Sequence, residues 1–252
     1  MRIGIMSAMR EEIHVIISEL ESTSKVVHGM RTYYTGLLYD TEVVLVFSRW
    51  GKVASATTAT LLINEFNVDE IIFTGVAGSV DPGVEIGDVV IGRNLYQHDM
   101  DASPLAEPLV VPLLDKKYFI ANGERNTLLQ KAVTGFLSQG LSAVNNETLN
   151  SFDIDQPSCH LGDIASGDQF ISTPSQIKKI RTILPKALCV EMEGASVAQV
   201  CFEYDIHFNI VRTISDKADD NSHIDFPRFA SEVASLYAHG ILENYFSLKA
   251  IQ

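Results

Sequence analysis

Short apolar runs alternate with stretches of helical periodicity along most of the chain. Residues 2–7 predict a buried first strand. Over 11–20, Ile13, Val15, Ile16, Ile17 and Leu20 fall on one helical face. Residues 32–38 and 42–47 predict paired strands turning at Tyr39-Asp40, and the Ala- and Leu-rich stretch 51–66 predicts a helix. A short β run at 70–74 leads into Gly75-Val76-Ala77-Gly78, read as a tight turn where backbone approaches a ligand closely. Residues 84–91 predict a strand kinked at Gly87-Asp88. The stretch 99–122, with Pro104, Pro108 and Pro112, reads as a loop of the length that covers sites. An amphipathic helix over 126–137 and a polar surface connection over 143–158 come next. A strand at 161–166 precedes a helix capped by Ser172 or Thr173, with Pro174 in its first turn. A strand at 187–190, a helix at 195–203, a strand at 208–214 and a last helix over about 227–248 complete the pattern.

Strands alternating with helices predict an α/β fold, with a central mainly parallel sheet that the early hairpin makes mixed. The 252 residues suit one domain, 1–252, and no internal repeat interrupts them. A net charge of −13 argues against nucleic acid and anionic membranes as main partners, because both are repelled. Cys159, Cys189 and Cys201 form no CxxC pair and an odd count, so neither a disulfide framework nor thiolate zinc is expected. The first residues lack a signal peptide's basic and apolar segments, and no apolar run reaches the roughly 20 residues of a membrane span. A cytoplasmic, soluble protein is the expectation.

Chemistry concentrates where strands are expected to end. In Cys189-Val190-Glu191-Met192-Glu193-Gly194 an apolar run meets two carboxylates at a strand-to-helix junction, and open α/β sheets bind ligands at such junctions. Glu11 and Glu12 open a predicted helix, whose dipole favours ionised carboxylates and so a general base. Alternation puts Arg212, Ile214 and Asp216 on one face of their strand, and Arg212 needs an anionic partner, for which Glu193 or Glu12 are candidates. Phe170 offers a flat face to an aromatic base. Asp216, Asp219 and Asp220 as cation ligands lack the glycine of a calcium loop, and His98, Asp99 and Asp101 fit a polar strand end better than a metal site. No cofactor is called for.

Taken together, Ile3-Gly4-Ile5, Ala8-Met9, Glu11-Glu12, Gly51-Lys52-Val53, Thr74-Gly75-Val76-Ala77-Gly78, Ser166-Gly167-Asp168-Gln169-Phe170, Val190-Glu191-Met192-Glu193-Gly194 and Ile214-Ser215-Asp216 resemble the bacterial 5′-methylthioadenosine/S-adenosylhomocysteine nucleosidases. These belong to the purine nucleoside phosphorylase-like superfamily, and the motifs run in family order over nearly the whole chain. The resemblance implies a three-layer α/β/α sandwich and hydrolysis of the N-glycosidic bond of adenine nucleosides, with water as co-substrate and a homodimer as the assembly. It implies Asp216 as general acid at adenine N7 and Glu12 as base for water. Glu193, with Met192 and Glu191, would hold ribose hydroxyls, helped by Arg212. Phe170 would stack on adenine beside the backbone of Ile171; Met9, Ala77, Gly78 and Ser215 would line the rest.

Two glutamates after the first strand would repel phosphate, which favours hydrolysis over the phosphorolysis seen elsewhere in the superfamily. A storage protein on the same scaffold is the other alternative, and it would be expected to lack one of the three acids. Val76 stands where many of these nucleosidases have serine, Ser79 where they have glycine, and Trp50 where a smaller aliphatic residue borders the 5′ substituent. Val76 to Ser79, Gln97-His98-Asp99 and Ser166 to Phe170 look more like the branch that also hydrolyses 6-amino-6-deoxyfutalosine.

Overall fold

The computed structural model describes residues 1–139, 141, 144–218 and 222–250. Its strands are β1 Ile3–Ser7, β2 Glu21–His28, β3 Arg31–Leu38, β4 Thr41–Phe47, β5 Glu70–Ser79, β6 Val89–Gln97, β7 Phe119–Ile120, β8 Cys159–Ser166, β9 Ala187–Glu191 and β10 His207–Asp216. Its helices are α1 His14–Ser18, α2 Lys52–Asn64, α3 Gly123–Gln139, α4 Asn146–Ser151, α5 Pro174–Ile183, α6 Gly194–Glu203, α7 Ser222–Phe229 and α8 Ser235–Lys249, with a π-helical turn at Ala230–Ala234 between the last two.

The strands join one mixed sheet with helices on both faces. Period-2 alternation explains why: each inner strand is apolar on both sides. Ile3, Ile5, Val43, Leu45, Ile72, Val89 and Ile91 face a core built with α1, α3, α4 and α8. Their neighbours Met6, Val44, Val46, Ile71, Phe73 and Val90 face a second core built with α2 and α6. A third apolar cluster seats α5 through Ile180 and Leu184 against Ala187 and Val190.

Parallel strands β4-β1-β5-β10 form one half of the sheet and parallel strands β6-β8-β9 the other. Antiparallel contacts join the halves twice, β10 to β6 and β5 to β9, so β5-β10-β6-β8-β9 closes into a ring. Gly78 pairs with Val190 and Ser79 with Cys189, which brings the C-terminal ends of β5 and β9 together. That junction places the functional site.

Several elements differ from the sequence pattern. The expected turn at Gly75–Gly78 is strand: β10 pairs with β5 along its length, and this ladder replaces the turn. The polar strand β2 shows no apolar alternation because it is an exposed edge paired with β3. The helix expected over 11–20 shrinks to α1, with 11–13 forming turns before it. The strand expected at 84–91 begins only at Val89, after Gly87 takes φ 87°. The connection at 143–158 carries α4, capped by the Asn145 side chain, and the last helix is broken by the π turn after Pro227. Thr173 caps α5 in a capping box with Gln176. No helix among the described residues is long and apolar enough to cross a membrane.

Candidate active site

A cleft of about 370 Å³ opens where the strand ends converge. Of the residues singled out above for substrate or catalysis it leaves out Glu11 and brings together Met9, Glu12, Trp50, Ala77, Gly78, Phe170, Ile171, Glu191, Met192, Glu193, Arg212, Ser215 and Asp216.

Glu12 is buried, and loop hydrogen bonds hold it where a helix dipole was expected to. Its Oε2 accepts from the Ser7 hydroxyl and from the Met9 N–H at 3.0 Å, and Oε1 accepts from the Val76 N–H at 3.2 Å. Burial pushes its pKa above the usual carboxylate value, against the Ser7 and Met9 hydrogen bonds and the Arg212 charge. A β-carbon at Gly75 would lie 3.1 Å from Glu12 Oε1 and 3.5 Å from Arg212 Nη1, so glycine is what lets β5 pass between them.

Arg212 finds its partner in Glu191 rather than in Glu193 or Glu12. Its Nη2 and Nε donate to Glu191 Oε2 at 2.7 and 3.3 Å, and Nη1 donates to the Phe73 and Val211 carbonyls at 3.0 and 3.1 Å. The guanidinium also lies 4.2 Å from the centre of the Phe73 ring. Glu191 is selected because it ends β9 and caps α6: its carboxylate also accepts from the Ser166 hydroxyl, the Glu193 N–H and the Gly194 N–H.

The Glu193 carboxylate accepts a single hydrogen bond among the described residues, from the Gly51 N–H at 2.8 Å. Burial and the Glu191 charge push its pKa up to about 8, against Arg212 and the Gly51 N–H. Gly51 holds φ 91° and ψ 162°, a backbone region open essentially to glycine. Lys52 secures this corner: its N–H donates to Asp168 at 2.8 Å and its ammonium to Asp99 at 2.7 Å, while the Asp168 N–H donates to Asp99 at 2.9 Å. Burial works against an ionised Asp99, yet Lys52 and the Asp168 N–H hold its carboxyl below the usual range.

Opposite Glu12, Asp216 ends β10. The register with β5 shifts between Ile214 and Asp216, so simple alternation fails there and both Ser215 and Asp216 line the cleft. The Ser215 hydroxyl donates to Asp216 Oδ2 at 2.6 Å and the Ala218 N–H to Oδ1 at 2.7 Å. Phe170 is 45% exposed at the mouth, so it is a cleft wall and not a core residue. Phe226 stands edge-on to both Phe170 and Trp50, each at 6.3 Å.

Phe226 and Pro227 escaped the sequence reading, which began the last helix at Pro227. The spacing Ser222-x-x-Asp225 is a helix-start signature that points to an earlier beginning. Ser7 and Ser166, which orient the two inner glutamates, carry no pattern of their own. Glu11 is exposed, and His98 is buried against Gly167 with its pKa lowered by burial. Among the described residues no three His, Cys, Asp or Glu side chains are grouped to hold a metal; Asp219 and Asp220 lie outside the described residues.

Comparison with known proteins agrees with this arrangement. The Phosphorylase superfamily model matches residues 2–247. A 5′-methylthioadenosine/S-adenosylhomocysteine nucleosidase of Staphylococcus aureus strain bovine RF122 / ET3-1 is 35% identical over 233 residues, 92% of this chain and 93% of its own. The corresponding nucleosidase of S. pneumoniae, solved with the transition-state inhibitor MT-ImmA, superposes with a TM-score of 0.84 at 33% identity, covering 100% of both chains. The futalosine hydrolase of Helicobacter pylori strain 26695 does so at 0.82 and 30% identity, covering 98% of this chain and 97% of its own. With its fold, its cleft and these relatives in agreement, the chain belongs to the phosphorylase superfamily and, within it, to the 5′-methylthioadenosine/S-adenosylhomocysteine nucleosidase family.

Proposed function

We propose that the protein hydrolyses the N-glycosidic bond of 5′-methylthioadenosine and S-adenosylhomocysteine, and also that of 6-amino-6-deoxyfutalosine. The observation that carries the reading is a buried carboxylate, Glu12, facing the same cleft as a second acid, Asp216, with Glu193 also lining it. Asp216, protonated, gives its proton to adenine N7 as the bond from the sugar to N9 breaks. The bond's electron pair leaves with the neutral base. Water attacks the anomeric carbon and loses its proton to Glu12. Glu193 binds the ribose hydroxyls, and Glu12, ionised as the base, offsets the positive charge that develops on the ring. Glu191 serves from behind, since its oxygens already hold Arg212, Ser166 and the start of α6.

Phe170 stacks on adenine while the Ile171 backbone meets its edge, and Met9, Ala77, Gly78, Ser215 and Trp50 bound the ribose and 5′ side. The futalosine reading rests on the likeness to the Helicobacter enzyme and on the sequence of the same loops. We take 1–252 as one nucleosidase domain, supported by β1 and β10 both pairing with β5. A homodimer is supported by exposed Leu105, Leu113 and Ile120 on the 99–122 segment and by exposed Val53 and Phe202 on the packed helices α2 and α6. The free cysteines Cys159, Cys189 and Cys201 suit the cytoplasm.

Asp216→Asn tests the assignment. Loss of the proton donor is expected to lower kcat by about 10²–10⁴-fold while leaving thermal unfolding unchanged. Turnover within about threefold of the parent protein removes Asp216 from the acid role.

A further inference from the structure

Beyond Trp50 the cleft continues into an outer chamber. It shares Met9, Trp50 and Phe226 with the inner cleft and adds Arg10, Glu11, Phe47 and Arg49. Neither guanidinium has a carboxylate within ion-pair distance among the described residues, and Arg49 donates only to the Met30 carbonyl, at 2.9 Å. The backbone at Arg49 takes φ 75°, a left-handed conformation that favours glycine, so a side chain is held there against local preference. What the position contributes is charge. In a chain of net charge −13, two arginines against one glutamate make this wall locally positive. Unpaired guanidinium forks match a carboxylate in geometry, and Phe47 and Phe226 supply apolar surface for a chain leading to it.

Resting on the nucleosidase reading, we propose that the outer chamber binds the carboxylate at the end of an extended 5′ substituent and so sets which nucleosides the protein prefers. Arg10 and Arg49 are the specificity-determining residues. Glu11 beside them takes the ammonium when the substituent ends in an amino acid.

Calorimetry with C-nucleoside analogues of adenosine, whose carbon–carbon glycosidic bond water does not cleave, tests this directly. A 5′-(3-carboxypropylthio) analogue is compared with its neutral carboxamide. The acid is expected to bind about fivefold tighter, a preference that fades as salt is raised. In the double variant Arg10→Gln, Arg49→Gly the preference disappears while binding of the 5′-methylthio analogue is retained; glycine accepts the φ at position 49. Equal binding of acid and amide by the parent protein, or a preference that survives loss of both arginines, overturns the proposal. Loss of affinity in Glu11→Gln confined to the homocysteinyl analogue assigns the carboxylate to an amino acid; no such loss assigns it to a simple acid. Adenine release from 5′-methylthioadenosine is followed alongside: its absence refutes hydrolysis and leaves the binding comparison intact, whereas no binding of any analogue overturns both.

Discussion

Replacing Arg212 by methionine removes the guanidinium from a nest of three buried carboxylates, Glu12, Glu191 and Glu193. Arg212 is 1% exposed, so water cannot take its place without rearrangement. Glu191 loses contacts at 2.7 and 3.3 Å, and the Phe73 and Val211 carbonyls lose donors at 3.0 and 3.1 Å. Removing one partner of a buried ion pair costs about 3–5 kcal/mol, and the two carbonyls add about 1 kcal/mol. The total, about 4–6 kcal/mol, is a large share of the ~5–15 kcal/mol that holds a domain folded. The loss also depends on pH. Folding raises the pKa of Glu12 and Glu193 above 4.5, so each binds its proton more tightly in the fold and destabilises it once ionised. That penalty is absent below about pH 4.5 and complete above the folded values, near pH 8 for Glu193. Arg212 offsets it, so the variant suffers most at high pH. Urea unfolding of both proteins at about pH 8 and about pH 5.5 reads the difference. A loss below about 1 kcal/mol at pH 8, or an equal loss at both pH values, refutes this account of the nest.

Three further outcomes follow from the same geometry. Because burial raises the pKa of Glu12, kcat/KM is expected to fall as pH drops through that raised value, since the base must be ionised; Glu12→Gln should abolish this acid limb, and a limb that persists assigns it to another group. Gly51→Ala puts a side chain at φ 91° with its β-carbon 3.0 Å from Asp168, which should cost about 1–3 kcal/mol in urea unfolding and raise KM through the displaced Glu193; unchanged stability and KM contradict the fit. Phe170→Ala removes an exposed ring rather than a core one, so KM should rise by about 5- to 100-fold with stability nearly unchanged, and a large stability loss with normal KM returns the ring to the core.

Much of the architecture was legible because both faces of the inner strands are apolar, so Ile3, Ile5, Val43 to Val46 and Ile71 to Phe73 announce themselves. The edge strand β2 did not, since a solvated strand bears no period. The stretch from Gly75 to Gly78 looked like a turn because the missing side chains of its two glycines serve two needs, turning and close approach; only the ladder with β10 decides between them. In the site, the acids stood out as residue types, and Glu12, Glu191, Glu193 and Asp216 gather in one cleft while Glu11 stays outside it. Which acid meets Arg212 was not legible. That choice depends on Glu191 ending β9 with α6 starting beneath it, a relation across three elements. Ser7 and Ser166 were silent for the same reason: a lone serine becomes informative only once its partner is in place.

The central claim is hydrolysis, and one measurement reaches it most directly. Pure protein is incubated with 5′-methylthioadenosine in phosphate-free buffer, and adenine and free sugar are quantified together. The account predicts adenine and 5-methylthioribose in equal amounts, with no change in rate when phosphate is added. No adenine, or adenine only with phosphate present and the sugar recovered as its 1-phosphate, contradicts it.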